Sequence, residues 1–152
     1  MSQSLSKIYI HCTFATRGRQ KLINKEIAPH LHSYMASIFK DLNNPALIIN
    51  SMPDHVHILF RMSKNVAITE IVEHVKKSSS KWIKKQPAGQ QTFYWQKGYG
   101  AFSVSRSHVD IVRKYIANQE VHHAKMTYID EVDSLMKKYE VDGYIPDYYW
   151  DL

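Results

Sequence analysis

The order in which hydrophobic periodicity changes along this chain constrains its fold more than any other feature. Ile8-Tyr9-Ile10-His11-Cys12-Thr13-Phe14 is a β-branched and aromatic run of strand character. Ile27, Leu31, Met35, Ile38 and Leu42 then recur close to helical spacing. Asn24 is placed to cap that helix, Pro29 sits near its start where the ring is tolerated, and Asn43-Asn44-Pro45 ends it. Ala46 to Met52 and His55 to Phe60 read as two strands joined by a Pro53-Asp54 turn. Ile68, Ile71, Val72, Val75, Trp82 and Ile83 mark a second helix, and Gly100 to Ser105 a fourth strand. A third helix is expected from a Ser107 cap to about His123, then a short helix from about Ile129 to Tyr139 and an aromatic tail.

Strand, helix, strand, strand, helix, strand is the ferredoxin-like, RRM-like βαββαβ order. It predicts an α+β fold, with two helices on one face of an antiparallel sheet and the first and third strands adjacent at its centre. The additional C-terminal helix is left to cover the other face. A single domain over residues 1–152 is expected, since 152 residues with 44% hydrophobic content can bury a normal core. Cys12 is the one cysteine, so no intrachain disulfide can form, which suits a reducing compartment. No apolar run approaches the roughly 18–20 residues that span a bilayer, and Met1 to Lys7 is polar. No membrane association is expected, and the expected location is cytoplasmic.

Charge is unevenly distributed. Residues 1–50 carry six basic and two acidic side chains, net +4. Residues 51–100 carry eight and three, net +5, whereas residues 101–152 carry six and nine, net −3. A basic body suits a polyanion such as nucleic acid, although a solvated surface has the same composition.

The chemistry-bearing residues begin at His55-Val56-His57. Histidines at i and i+2 of a strand project from one face, so their imidazoles can converge on one divalent cation. The second group is Tyr115 and Gln119, one turn apart on the third helix beside a stripe of Val109, Val112 and Ile116. Taken separately, such residues are common as helix-edge and surface groups. Together they offer two imidazoles, a carbonyl oxygen and a phenol.

These residues, in this order, resemble the single-tyrosine HUH transposases of small bacterial insertion sequences and their REP-associated tyrosine transposase relatives. HUH denotes His, an apolar residue, His, here within Met52-Pro53-Asp54-His55-Val56-His57-Ile58-Leu59. The likeness continues through Trp95-Gln96-Lys97-Gly98-Tyr99, Phe102-Ser103-Val104-Ser105, Tyr115-Ile116-Ala117-Asn118-Gln119-Glu120-Val121-His122-His123 and Tyr148-Tyr149-Trp150-Asp151. The resemblance implies an enzyme that cuts and rejoins single-stranded DNA with hairpin-marked ends in transposition. It implies that His55, His57 and Gln119 bind Mg²⁺ or Mn²⁺. Tyr115 would attack the scissile phosphate, leaving a 5′-phosphotyrosine and a free 3′-hydroxyl. It further implies a homodimer, in some members with the tyrosine acting in trans.

Physical chemistry is consistent with these roles. A phenol of ordinary pKa about 10 needs activation near a cation. A covalent phosphotyrosine conserves the ester bond, so rejoining needs no ATP. Imidazole ligands favour Mn²⁺ over Mg²⁺. Arg17, Arg19 and Lys21, with Lys77 and Lys81 of the second helix, are candidate phosphate contacts, and Tyr99 and Trp95 are candidate stacking surfaces for unpaired bases. Three alternatives stay open. An RRM-like nucleic-acid-binding module shares the element order, and Lys97-Gly98-Tyr99-Gly100 opens its RNA-binding signature before Ala101 departs from it. A hydrolytic metalloenzyme would use water as nucleophile, but no third strong ligand is evident apart from the adjacent Asp54. A domesticated relative without mobilising activity fits the same residues.

Overall fold

The computed structural model describes residues 2–150, so Asp151 of the aromatic tail motif lies outside the described residues. The elements are β1 (Ile8–Ala15), α1 (Ala28–Asp41), β2 (Ala46–Met52), β3 (His55–Met62), α2 (Ile68–Lys84), β4 (Gly100–Val104), α3 (Val109–Ala117), α4 (Gln119–His123), α5 (Tyr128–Lys138) and α6 (Pro146–Tyr149). The four strands form one antiparallel sheet in the order β2-β3-β1-β4, the expected βαββαβ arrangement with β1 and β3 at the centre.

Strand alternation divides the two faces by chemistry. Ile10, Cys12 and Phe14 of β1 and Val56, Ile58 and Phe60 of β3 point to one side. There α1 and α2 close the main core with Leu31, Met35, Phe39, Ile71, Val75 and Ile83. Burying a side chain of this size stabilises the fold by roughly 1.5–3 kcal/mol, so this layer carries much of the stability. The other face presents His11, Thr13, His55 and His57, all fully buried, with apolar clusters on either side. Val109, Val112 and Ile116 of α3 pack on Leu59 and Val104, while Tyr128, Val132, Leu135 and Met136 of α5 pack with Phe102 and Trp150. The covering helices therefore enclose a polar band over the central strands. The aromatic tail packs on its own chain through Trp150.

The third helix differs from its expected course in two respects. It breaks at Asn118 (φ −100°, ψ 28°) into α3 and α4 rather than running through to His123. The Asn50 amide on β2 takes the Ile116 carbonyl that a continuous helix would use internally. Its start is also not capped by Ser107. A 3₁₀ turn over Arg106–His108 leads into α3, and Ser107 Oγ lies instead against His108 Nδ1 at 3.2 Å. By contrast, α5 begins with a capping box, in which Thr127 Oγ1 accepts from the Asp130 N–H at 3.2 Å and the Asp130 carboxylate accepts from the Thr127 N–H at 3.4 Å.

Candidate active site

Each site histidine is held by an element behind it. His55 Nδ1 donates to the Asp54 carboxylate at 2.7 Å, and the His55 ring stacks on Tyr128 with centroids 3.9 Å apart. His57 Nδ1 meets His11 Nε2 of β1 at 2.8 Å. Thr13, opposite His57 in the register, donates to the Val56 carbonyl and shares a 2.8 Å hydrogen bond with the Tyr128 hydroxyl. Both Nε2 atoms are thereby turned toward α4 and α5.

Gln119 reaches the same place. It is fully buried, with Oε1 3.2 Å from His55 Nε2. The break at Asn118 starts α4 on Gln119, while Tyr115 stays on α3 and is half-buried. The structure thus brings together the four residues singled out from sequence, His55, His57, Tyr115 and Gln119.

It also adds three that sequence reasoning missed. Glu131 of α5 is 1% exposed. Its Oε1 lies 2.8 Å from His57 Nε2, 3.0 Å from His123 Nε2 and 3.5 Å from His55 Nε2. Its Oε2 accepts from the Tyr115 hydroxyl and from Gln119 Nε2. His123, one turn after Gln119, points inward, and His11 backs His57. A signal for Glu131 was present: it falls on the stripe Tyr128, Glu131, Val132, Leu135, Met136, where an apolar residue is expected.

Electrostatics follow from burial opposed by pairing. Burial works against ionisation of Glu131, but donors from His123, His57 and Tyr115 outweigh it and hold the carboxyl far below its usual range. Burial, and then the Glu131 charge, push the Tyr115 phenol up. Burial lowers His57, with only partial compensation from Glu131, and takes His11 down to about 3. Burial also opposes protonation of His123, yet its hydrogen bond to Glu131 leaves that pKa raised. Asp54 is half-buried, which works against its ionisation, but its bond to His55 leaves the carboxyl below its usual range.

A cleft of about 540 Å³ opens beside these groups, lined by Lys21, Met52, Asp54, His123, Lys125 and Tyr128 among others. Arg17 lies over the Tyr94 ring and Arg19 over Trp150. Lys77 and Lys81 are exposed on α2, in the layer behind the sheet from the histidines. Tyr99 is half-buried, its hydroxyl on Thr69 Oγ1 at 2.9 Å. Trp95 is a core residue whose Nε1 donates to Ser79 Oγ, so it is not a stacking surface. Lys76 donates to the carbonyls of Gln96, Lys97 and Gly98, bracing the loop before β4.

Residues 4–119 match the family described as Transposase IS200 like. The chain belongs to the IS200-like transposase family. The match takes in His55, His57, Tyr115 and Gln119 and ends before His123 and Glu131. As a member, this IS200-like protein falls in a class of DNA-cleaving enzymes. A crystal structure of a protein assigned as a transposase from Deinococcus radiodurans R1 is 24% identical. That alignment covers 78% of this chain and 98% of the other, with TM-score 0.60. A REP-associated tyrosine transposase bound to a REP hairpin is 17% identical, covering 83% of this chain and 76% of the other, with TM-score 0.57. At these identities the two structures establish the shared fold. Among curated proteins none matches. No helix among the described residues is long and apolar enough to cross a membrane.

Proposed function

We propose that this IS200-like transposase cuts and rejoins hairpin-marked single-stranded DNA through a covalent 5′-phosphotyrosine on Tyr115. The observation that carries this reading is the meeting of the Tyr115 hydroxyl and both HUH imidazoles on one buried carboxylate, Glu131. A cleft of about 540 Å³ opens beside the same group, lined by His123 and Asp54.

In the cutting step the Tyr115 oxygen forms a bond to phosphorus. The bond from phosphorus to the 3′ oxygen breaks, and the phenol proton ends on the leaving 3′-hydroxyl. Rejoining reverses these changes, so the ester is conserved. His55, His57 and Gln119 would hold Mg²⁺ or Mn²⁺. Their donor set fits, because the His55 Nδ1–H is committed to the Asp54 carboxylate, which leaves Nε2, 3.2 Å from the Gln119 oxygen, as the ring's ligand atom. When bound, the cation withdraws charge from the phosphate oxygens and offsets the Glu131 charge that keeps Tyr115 protonated.

Lys21 lines the cleft and would hold phosphates there, with Arg17 and Arg19 shortly before it in the chain as further phosphate contacts, and Lys77, Lys81 and Tyr99 left for the hairpin stem. Tyr115 sits beside the histidines of its own chain, which supports cis action within the homodimer that the family resemblance implies. Covalent capture tests the proposal. Hairpin-bearing single-stranded DNA with Mn²⁺ should give a denaturant-resistant adduct whose tryptic phosphopeptide carries Tyr115. Retention of DNA without an adduct, in metal-loaded protein, would favour a domesticated or purely binding protein.

A further inference from the structure

Four side chains bring acceptor atoms to one point between β3, α4 and α5. The Nε2 atoms of His55, His57 and His123 and a Glu131 oxygen all lie within 4.8 Å of one another. Two of these rings have their other nitrogen committed. His55 Nδ1 faces the Asp54 carboxylate at 2.7 Å, and His123 Nδ1 faces the Met126 carbonyl at 3.0 Å. Both partners can only accept, so each Nδ1 carries a proton, and Nε2 is the atom that each ring turns toward Glu131. Glu131 Oε1 is itself only an acceptor, 3.0 Å from His123 Nε2 and 3.5 Å from His55 Nε2. Three imidazole nitrogens and a carboxylate oxygen gathered this closely form a set of metal-ligand atoms.

One dication serves all the acceptors at once. The spacing also suits it, since ligands about 2.1 Å from an ion and at right angles stand roughly 3 Å apart.

We propose that His123 and Glu131 are themselves metal ligands, which makes this a three-histidine, one-carboxylate centre with the Gln119 oxygen alongside. The inference rests on the metal reading of the preceding section and adds two residues beyond the family match. Sequence explains how they arrive. His123 follows Gln119 by four residues and so shares its helix face. Glu131 follows the capped Tyr128 by three and enters the same interior. Asp54 and Met126 orient the two outer rings. A set this rich in nitrogen selects a first-row transition cation of the Mn²⁺ kind over Mg²⁺. Glu131 also joins the centre to the nucleophile, since its second oxygen takes the Tyr115 hydroxyl.

The test is Mn²⁺ binding to the full chain without DNA. It is read by titration calorimetry and by pulsed electron paramagnetic resonance of protein carrying ¹⁵N-labelled histidine. Three imidazole couplings are expected in the wild type and two in His123→Asn. Glu131→Gln, which keeps shape and hydrogen bonding, should weaken Mn²⁺ at least ~tenfold, with an unchanged near-ultraviolet dichroism spectrum showing that it folds. Two couplings in the wild type, or a Glu131→Gln affinity within twofold, overturns the assignment while the HUH reading stands. Wild-type protein that binds no Mn²⁺, or His57→Ala that binds it normally, overturns both.

Discussion

The Asn50 side-chain amide on β2 donates to the Ile116 carbonyl at 2.8 Å, one residue beyond Tyr115. The sheet thus holds the end of α3 where the helix breaks, and with it the reach of the phenol. Asn50→Ala removes a hydrogen bond worth about 1 kcal/mol. Its larger effect should fall on positioning, because displacing a reacting group by about 1 Å can cost on the order of a hundredfold in rate. Single-turnover cleavage is expected to drop at least ~tenfold, with DNA affinity within twofold of wild type. Cleavage at the wild-type rate would show that Asn118 sets the break alone.

Tyr115→Phe separates chemistry from binding. The variant should form no covalent adduct and make no cut, while gel-shift affinity for hairpin DNA stays within about twofold. Glu131 keeps His57, His123 and Gln119 as donors. The fold should therefore lose no more than about 1–2 kcal/mol, the worth of one hydrogen bond to a charged group. A variant that still nicks DNA would place the nucleophile elsewhere.

Sequence made the fold legible because each strand and helix announces its own period. The alternation in Ile8–Ala15 and His55–Met62 also placed the two histidines on one face correctly. The site was only partly legible. Gln119 and Tyr115 were visible through their spacing, but Glu131 is 74 residues from His57 and joins it through the packing of α5 alone. No local pattern specifies that meeting. His123 looked like an ordinary helix end, because the break at Asn118 that turns it inward depends on Asn50, an edge-strand residue far away in sequence. Lys76 binds three backbone carbonyls that no periodicity could anticipate.

His32 predicts acid sensitivity independent of the active site. Its Nε2 lies 2.7 Å from Ser51 Oγ between α1 and β2, and burial lowers its pKa from 6.5 to about 4. Between those values the unfolded chain binds a proton that the folded chain refuses. Stability therefore rises with pH across this window, and the full contribution present above pH 6.5 is lost progressively as pH falls toward 4. Allowing for partial solvent access, the loss is on the order of 2 kcal/mol. His32→Asn should flatten the fall in melting temperature between pH 7 and pH 5, and an unaltered fall would assign that sensitivity to other groups.

Salt dependence distinguishes the basic residues by location. Lys21 is exposed at the mouth of the cleft that His123 and Asp54 line. Lys77 and Lys81 are exposed on α2, with the sheet between them and the histidines. A strand lying in the cleft can meet Lys21 directly, whereas only DNA extending around the protein reaches α2. Each lost phosphate contact lowers the slope of log affinity against log salt by about 0.7 for a single strand and about 0.9 for duplex. Lys21→Ala should reduce the slope by ~0.7 whether or not the substrate carries a hairpin. Lys77→Ala and Lys81→Ala should reduce it by ~0.9 each only when a stem is present. Equal losses on stemless DNA would mean that the strand crosses α2 instead, and the cleft beside His123 would then not be the path of the substrate.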